Sequence, residues 1–363
     1  MAKNTAKEVI IPTEPKTLRV VFLYTGQGDS TIVAVPTGDT VNDYEFVLID
    51  ADLDKEDKEV NLVDMLKDLL DDDELSVFIN THPHKDHTGG IKEIYNEVGI
   101  KEVWHSNHST TGADKASYDE LKYVLKKVGT SNEYHLKGTN DLNKIRTTND
   151  DEVVKKLGLI DYQVVAPAEY VCDEIDDEDE EVRRARIHEQ CAVLKFCYKE
   201  RALLFTGDAN KAAWQDHITK YHKDALKADV VTASHHGSRT AFKSSEDDKE
   251  PYSEHLDYID AEHLIISAPK QKDSPHGHPH DDAIEIYEDY FEKDNIYHLG
   301  KKPYCIVVDI NEAGELTVTE DLNLIAAYSN DSEEEDKKEK EKNSSHRAAV
   351  LSTYASTARP YQQ

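Results

Sequence analysis

The stretch INTHPHKDHTGG, residues 79–90, concentrates three histidines and one aspartate within six positions, at His82, His84, Asp86 and His87. Imidazole nitrogens and carboxylate oxygens are the usual protein ligands of zinc and similar divalent ions. Alternate residues of an extended segment share a face, so His82 and His84 can bind one ion. Asp86 and His87 follow the turn and can reach a second. The stretch therefore predicts a metal-binding loop with room for two ions.

The segments that flank this loop alternate between strand and helix patterns. LSVFIN at 75–80 is a short apolar strand, GGIKEIYNEVGI at 89–100 has the apolar spacing of a helix, and KEVWHSN at 101–107 is the next strand. Upstream, residues 18–50 predict an antiparallel meander of three strands. Strand, loop, helix and strand in this order predict a β-α-β unit, with the histidines at the end of its first strand.

Farther along, the composition divides the chain into regions. Residues 109–160 are mostly polar and predict a helical insertion beside the core, outside its sheet, whereas the later CAVLKFCYKERALLFTGDA predicts a hairpin that turns at YKER. The charged end of the chain has too little apolar content to offset the entropy of ordering it. We therefore expect an N-terminal extension at 1–17, one α/β domain at 18–328 and a disordered tail at 329–363.

Charge and cysteine content limit the classes of function. A formal net charge of -31 weakens a DNA-coating role, because non-specific DNA affinity comes mostly from Lys and Arg. Bound divalent cations reverse the sign locally, so a phosphodiesterase is not excluded. The four cysteines form no CxxC pair, which is typical of reduced thiols. No apolar stretch approaches the roughly 20 residues that cross a bilayer, so we expect a cytoplasmic protein without membrane contact.

Further candidate ligands lie at strand ends far from the histidine loop. Asp208 ends the apolar arm LLFTGDA, at a sheet edge where a carboxylate bridging two ions can stand. His235 and His236 follow a strand in TASHHGS. Strand alternation would send these two histidines to opposite sides, so we expect only one to bind, and favour His235.

Three motifs in this order, THPHKDHTGG, LLFTGDA and SHHGS, resemble the metal motifs of the metallo-β-lactamase fold. The stretches YTGQGDSTIVAVP, FVLIDAD and HGHPH resemble, more narrowly, the hydrolase domain of the ComEC-type DNA-uptake protein and its soluble relatives. The resemblance implies an α/β four-layered αββα sandwich with two divalent metal ions at one edge of its two sheets. Zinc is the expected metal and manganese the alternative.

The resemblance also implies roles for individual residues. The implied metal ligands are His82 and His84 for the first ion, Asp86, His87 and one of His235 and His236 for the second, and Asp208 as the bridge between them. His188, in RIHEQCAVLKF, matches a further ligand of the superfamily, although ComEC-type relatives often carry another residue there. Asp50 matches the acidic residue that braces the metal loop from behind. His278, in PHGHPH, matches a position near the metals, and the predicted catalytic residues are Asp86, Asp208 and His278.

Three functions are consistent with these features. The first is a phosphodiesterase or nuclease in which a metal-bridging hydroxide attacks DNA, RNA or a smaller nucleotide. The second keeps the two metals but hydrolyses an ester, thioester, lactam or peptide. The third is a metal-binding scaffold that recruits a protein partner through the acidic block CDEIDDEDEEVRR or the charged tail.

Overall fold

A computed structural model of the protein describes residues 5–53 and 59–329. The predicted tail, from residue 330 onward, lies outside the described residues. The rest forms two β-sheets flanked by helices, with sixteen strands among the described residues. The strands are β1 (Leu18–Phe22), β2 (Thr31–Pro36), β3 (Tyr44–Ile49), β4 (Leu75–Asn80), β5 (Ile100–His105), β6 (Glu133–His135), β7 (Lys144–Thr147), β8 (Glu152–Val154), β9 (Asp161–Ala166), β10 (Val193–Tyr198), β11 (Arg201–Phe205), β12 (Val230–Thr232), β13 (His263–Ile266), β14 (Ile296–His298), β15 (Cys305–Ile310) and β16 (Leu316–Asp321).

The order of the strands separates the two sheets. The first sheet runs β16-β15-β1-β2-β3-β4-β5-β6-β7-β8, and the second runs β14-β13-β12-β11-β10-β9. The α-helices of the described residues are α1 (Thr5–Ile10), α2 (Leu62–Leu70), α3 (Lys85–Thr88), α4 (Ile91–Val98), α5 (Lys115–Val128), α6 (Glu169–Asp176), α7 (Glu180–Ala185), α8 (Thr219–His222), α9 (Glu254–Ile259), α10 (Asp281–Tyr290) and α11 (Asn323–Tyr328). Within these bounds no helix combines the length and the apolar character that crossing a membrane requires.

Alternation along the strands of the second sheet shows that both of its faces are buried. Leu203 and Val230 belong to the apolar cluster that includes the first sheet. Their neighbours Leu204 and Val231 belong to a separate cluster with the residues of α9 and α10. Because successive side chains of a strand point to opposite faces, one face packs on the first sheet and the other on helices. The predicted αββα sandwich is confirmed.

The local strand predictions around the core are also confirmed. β1, β2 and β3 form an antiparallel meander, and β4 and β5 are parallel neighbours, as a β-α-β unit requires. β10 and β11 pair as the predicted hairpin. Its turn residues Lys199 and Glu200 have φ of 51° and 65°, which is the conformation of a two-residue hairpin turn that matches the twist of the strands.

The prediction for residues 109–160 was wrong in one respect. Helix α5 is present, but β6, β7 and β8 extend the first sheet rather than lying beside it. These strands are only three or four residues long, and in β7 only Ile145 is buried. Such short, polar strands carry no periodic signal, and only the successive pairing of β6 with β5, β7 with β6 and β8 with β7 reveals them. The acidic block lies largely in α6 and α7.

The predicted N-terminal extension contributes to the core through its described part. Ala6 and Ile10 of α1 are buried, and the Ala6 backbone N–H donates to the Tyr328 hydroxyl at 3.0 Å. The described part of the extension is therefore packed against the domain, whose boundaries at 18 and 328 remain a prediction.

A buried histidine makes the fold sensitive to acid. The His255 ring stacks on Trp214, with ring centroids 4.6 Å apart, and on Phe242 at 5.5 Å. Burial lowers the pKa of His255 to about 3. As the pH falls through about 6.5, His255 binds a proton in the unfolded chain but not in the folded chain. The stabilising contribution of neutral His255 is therefore complete above that pH and falls below it.

We expect this group to lower the free energy of unfolding by about 1.4 kcal/mol for each pH unit below 6.5. Urea unfolding between pH 7.5 and 5.5 would measure the slope. His255→Phe, which keeps the aromatic stack without a titrating nitrogen, should show a shallower slope. Identical slopes in both proteins would contradict the assignment.

Candidate metal centre

The histidine loop begins where β4 ends, and the side chain of Asn80 holds its shape. The Asn80 amide nitrogen donates to the backbone oxygens of His82 and His87, at 2.8 and 3.1 Å. It also reaches the Asp50 carboxylate at 3.1 Å. Both histidines are buried. One side chain thus ties the two ends of the loop together and points the imidazoles inward.

A second loop, between β1 and β2, crosses the histidine loop in direct contact. The Asp29 backbone N–H donates to the Asp86 carbonyl oxygen at 3.0 Å. A Cβ atom at Gly28 would lie 2.3 Å from the same oxygen, so no side chain fits there. Glycine at this position therefore permits the close approach that brings Asp29 to the site.

Four side chains form the first group of potential ligands: His82, His84, His188 and Asp208, with donor atoms within 4.8 Å of one another. His84 Nδ1 lies 3.3 Å from His188 Nε2. The Asp208 Oδ2 atom lies 3.4 Å from His82 Nε2 and 3.6 Å from His188 Nε2. The nitrogens therefore converge on one carboxylate oxygen.

The second group contains Asp29, His87, His236 and again Asp208. His87 Nε2 lies 3.2 Å from His236 Nε2 and 3.1 Å from Asp208 Oδ1. The Asp86 carboxylate also faces this group, with Oδ2 3.5 Å from His236 Nε2. Asp208 thus presents a different oxygen to each group.

Unpaired polar atoms distinguish this cluster from an ordinary hydrogen-bond network. Both carboxylate oxygens of Asp208 and the Nε2 atom of His82 are buried, and none makes a hydrogen bond of good geometry to the described residues. A buried charged group without partners is costly, and divalent cations between the converging atoms would remove that cost. The residues present therefore fit two such ions.

A third group, formed by His105, Glu133 and His135, provides the contrast. The Asn107 backbone N–H donates to His105 Nδ1 at 3.1 Å, so a neutral His105 carries its proton on Nε2. That nitrogen lies 3.2 Å from a Glu133 oxygen and can donate to it. In this group both ring nitrogens of His105 have hydrogen-bond partners, so no cation is needed to compensate for unpaired polar atoms on that ring.

The pKa shifts in the site follow from burial and from the carboxylates. Burial lowers the pKa of His82 and His188 to about 3, so both are neutral and have a lone pair to offer a metal. Burial also disfavours protonated His87, but the carboxylates of Asp208 and Asp50 outweigh it and raise its pKa well above the usual value. The pocket therefore attracts positive charge.

Asp50 lies directly behind His87. Its Oδ2 atom accepts hydrogen bonds from the Thr81 hydroxyl at 2.6 Å and from His87 Nδ1 at 2.8 Å, and its Oδ1 accepts from the Thr81 backbone at 2.8 Å. Because His87 donates through Nδ1, its Nε2 atom faces the second group, where a divalent ion would replace the proton that the carboxylates favour there.

The histidine pair is arranged differently from the sequence prediction. β12 ends at Thr232, and His235 and His236 both have left-handed backbones, with φ of 52° and 56°. Strand alternation was the wrong premise, because these residues are not extended. His236 Nδ1 donates to the Ser267 carbonyl at 3.0 Å, which leaves Nε2 for the second group. His236, rather than the favoured His235, occupies that position.

His235 nevertheless borders the site. Its Nε2 atom lies 3.4 Å from Asp208 Oδ2, on the side of the first group, and its ring centroid is 4.3 Å from that of His188. His278 also borders the site, with its ring centroid 5.3 Å from that of His235. The structure thus brings every sequence-predicted site residue to one cluster.

Two residues of the site escaped the sequence analysis. Asp29 joins the second group, and the GQGD turn before β2 was a signal of it. Cys191 lies with Sγ 3.6 Å from His82 Nδ1 and accepts the Asp208 backbone N–H at 3.1 Å. Nothing in the local sequence marks this cysteine, because its role depends on contacts between distant segments.

Residues 45–254 match the family model described as the metallo-beta-lactamase superfamily, which is more than half of the chain. The chain belongs to this superfamily. Membership supports a metal-dependent hydrolase, in agreement with the converging ligand groups. Comparison of this superfamily member with curated proteins returned no match.

Several solved structures resemble this superfamily member at low sequence identity. Igni18, a metallo hydrolase from the archaeon Ignicoccus hospitalis KIN4/I, is 14% identical, with 84% of this chain and 98% of that chain covered and a TM-score of 0.43. CmlA, a diiron β-hydroxylase from Streptomyces venezuelae, is 13% identical, with 79% and 53% covered and a TM-score of 0.43. A diphosphatase of the PhnP family is 11% identical, with 77% and 94% covered and a TM-score of 0.35. These values assign no substrate.

Removing the charge behind His87 should weaken metal binding. We expect Asp50→Asn to lower zinc affinity about tenfold to a hundredfold, because outer carboxylates hold the ligand in the right tautomer. Competition with a chromogenic chelator measures it. Asp321→Asn is the matched control, since Asp321 is also buried and hydrogen-bonded, to the Leu324 backbone at 2.9 Å, but lies outside the cluster. Equal affinity in Asp50→Asn and wild type would refute the role.

Proposed function

We propose that this protein is a dinuclear metal-dependent phosphodiesterase acting on nucleic acid or a smaller nucleotide. The observation that carries the proposal is the position of Asp208 between two ligand groups, with one unpaired oxygen toward each. The proposed ligands of the first ion are His82, His84, His188 and Asp208, and those of the second are Asp86, His87, His236 and Asp208. Zinc suits the nitrogen-rich donor set, with manganese as the alternative.

Two bound divalent ions would supply an activated water and stabilise the charge that develops on a phosphoryl oxygen. The side chains of the protein position these components. Asp208 holds the two groups at a common centre, and Asp50 keeps His87 in the ligand tautomer. No serine or cysteine nucleophile is required, and burial raises the pKa of the nearby Cys191 thiol above its usual range, so it stays protonated.

With both ions bound, the charge at the centre would admit a phosphate substrate. Two divalent cations would bring four positive charges to the carboxylates of Asp29, Asp86 and Asp208 and to Asp50 behind His87, and would thus offset the acidic charge locally in a strongly acidic protein. Arg239, near the histidine pair, is already paired with Asp282 at 3.2 Å. Attraction of phosphate would therefore come from the ions rather than from free basic side chains.

His278 is suited to donate a hydrogen bond to a substrate oxygen on which charge develops. The Ser274 hydroxyl donates to Gln27 Oε1 at 2.6 Å, which leaves the Gln27 amide nitrogen to donate to His278 Nδ1 at 3.2 Å. Burial lowers the pKa of His278 to about 3, so the ring is neutral. With Nδ1 accepting, the ring proton is on Nε2, available to a substrate oxygen.

The compartment is a further proposal. All four cysteines are free, and three of them are buried. Free thiols support a reducing environment, and we propose the cytoplasm.

The central test is cleavage by the purified full chain supplied with zinc or manganese. We expect hydrolysis of DNA, RNA or a nucleotide phosphodiester, and at least a hundredfold loss on chelation of the metal or in the double variant His84→Ala, Asp86→Ala. Cleavage of none of these substrates rejects the proposal. Hydrolysis of thioesters or a chromogenic β-lactam would then favour the second hypothesis, and metal binding without hydrolysis of any of these substrates would favour the scaffold with a protein partner.

The hydrogen bond that His278 donates has its own test. We expect His278→Ala to lower kcat about a hundredfold without changing metal content, and Gln27→Leu to lower it by about tenfold, because the tautomer is no longer imposed. Steady-state rates and elemental analysis measure both. His276→Ala, an exposed histidine of the same stretch, is the control. Retention of full kcat in His278→Ala would remove the residue from the mechanism.

A further inference from the structure

Two exposed tyrosines on α6 and α8 contact each other and connect, through two further side chains, to the segment that carries His188. Tyr170 at the start of α6 and Tyr221 in α8 are 45% and 54% exposed. Their rings meet edge to face, with centroids 6.0 Å apart and an interplanar angle of 72°. The pair therefore presents aromatic faces at an angle to solvent, an arrangement that can hold one planar group against a face and an edge.

A chain of polar contacts links Tyr170 to Glu189, the residue after the proposed ligand His188. The Tyr170 hydroxyl donates to His217 Nδ1 at 2.8 Å. His217 then carries its proton on Nε2, which lies 3.5 Å from a Glu189 oxygen. Glu189 directly follows His188 and is held by Arg186 at 2.7 Å. The hydroxyl of Tyr170 is thus held by His217, which is in turn held by Glu189.

The backbone supports this arrangement. His217 lies in a π-helical turn, Ala213–Ile218, and such turns occur frequently at functional sites. Burial, followed by the neighbouring Tyr221, raises the pKa of Tyr170 to about 12, so its hydroxyl remains a donor. A ring held by its hydroxyl loses little entropy when a ligand stacks on it.

The charged residues around the two tyrosines favour a small ligand over a long polyanion. Asp216 and Glu174 act on Tyr170 electrostatically, and although Arg186 pairs with Glu174 at 2.7 Å, Asp216 disfavours a long polyanion. Lys220 is a second cation here, with Nζ 5.3 Å from the centroid of the Tyr221 ring. A neutral nucleobase with one or two phosphates suits these surroundings better than a long duplex.

We propose that Tyr170 and Tyr221 form a base-stacking subsite that selects nucleotides or short single strands for the metal centre. The inference rests on the proposed function. Base stacking on aromatic side chains contributes about 1–3 kcal/mol per base, so loss of a ring should weaken binding by about fivefold to more than a hundredfold.

The experiment compares two substrates in wild type and in the single variants Tyr170→Ala and Tyr221→Ala. For the p-nitrophenyl ester of thymidine 5′-monophosphate we expect KM to rise about tenfold with kcat within twofold. For methyl p-nitrophenyl phosphate, which has no base, KM should not change. Tyr170→Phe keeps the ring face and should restore most of the affinity.

Tyr290→Ala, which removes a 37% exposed tyrosine on α10, is the matched control and should behave as wild type. Fluorescence anisotropy with a labelled phosphorothioate oligothymidylate measures binding without cleavage, and the two alanine variants should bind it more weakly. Equal KM and equal binding in the variants and wild type would overturn the subsite while leaving the phosphodiesterase intact. Absence of any phosphodiester cleavage by wild type, with the binding difference preserved, would reject the proposed reaction but retain the subsite.

Discussion

A carboxylate buried with both oxygens short of hydrogen-bond donors is stable only where positive charge is brought to it. Asp208 is such a group, and five imidazoles surround it. Coulombic attraction to those rings holds its pKa far below the usual range in spite of burial. Protonated histidines or metal ions can neutralise the negative charge of Asp208. The two groups of donor atoms, one beside each carboxylate oxygen, are suited to metal ions.

The sandwich explains how so many polar side chains reach one place. The histidine loop follows β4 of the first sheet, whereas Asp208 and the histidine pair follow β11 and β12 of the second. Because the two sheets pack face to face, loops that leave the same edge of each sheet converge above the shared core. Asp50, after β3, then lies behind the loop rather than in the centre. Glu189, the residue after His188, contacts His217, and His217 contacts Tyr170. The proposed base-stacking subsite would therefore extend the substrate contacts outward from the metal centre.

The fold and the metal centre were predictable to different degrees. The βαβ unit, the meander and the hairpin at Lys199 and Glu200 follow from short-range periodicity and turn chemistry, and the structure confirms them. The short strands β6, β7 and β8 were missed, because segments of three or four residues gain their stability from pairing in succession onto β5 rather than from their own pattern. The ComEC-type assignment and the identity of the substrate remain proposals.

The sequence by itself determined that His82, His84, Asp86 and His87 lie together directly after a strand, because the end of the apolar run and the Gly-Gly turn act over a few residues. The last two of them lie in the short helix α3. Tertiary structure alone decided that His236 rather than His235 joins the second group, since left-handed backbones at both positions replace alternation. It also decided which distant side chains complete the site. Convergence of segments more than a hundred residues apart depends on how two sheets pack, and no local pattern encodes that packing.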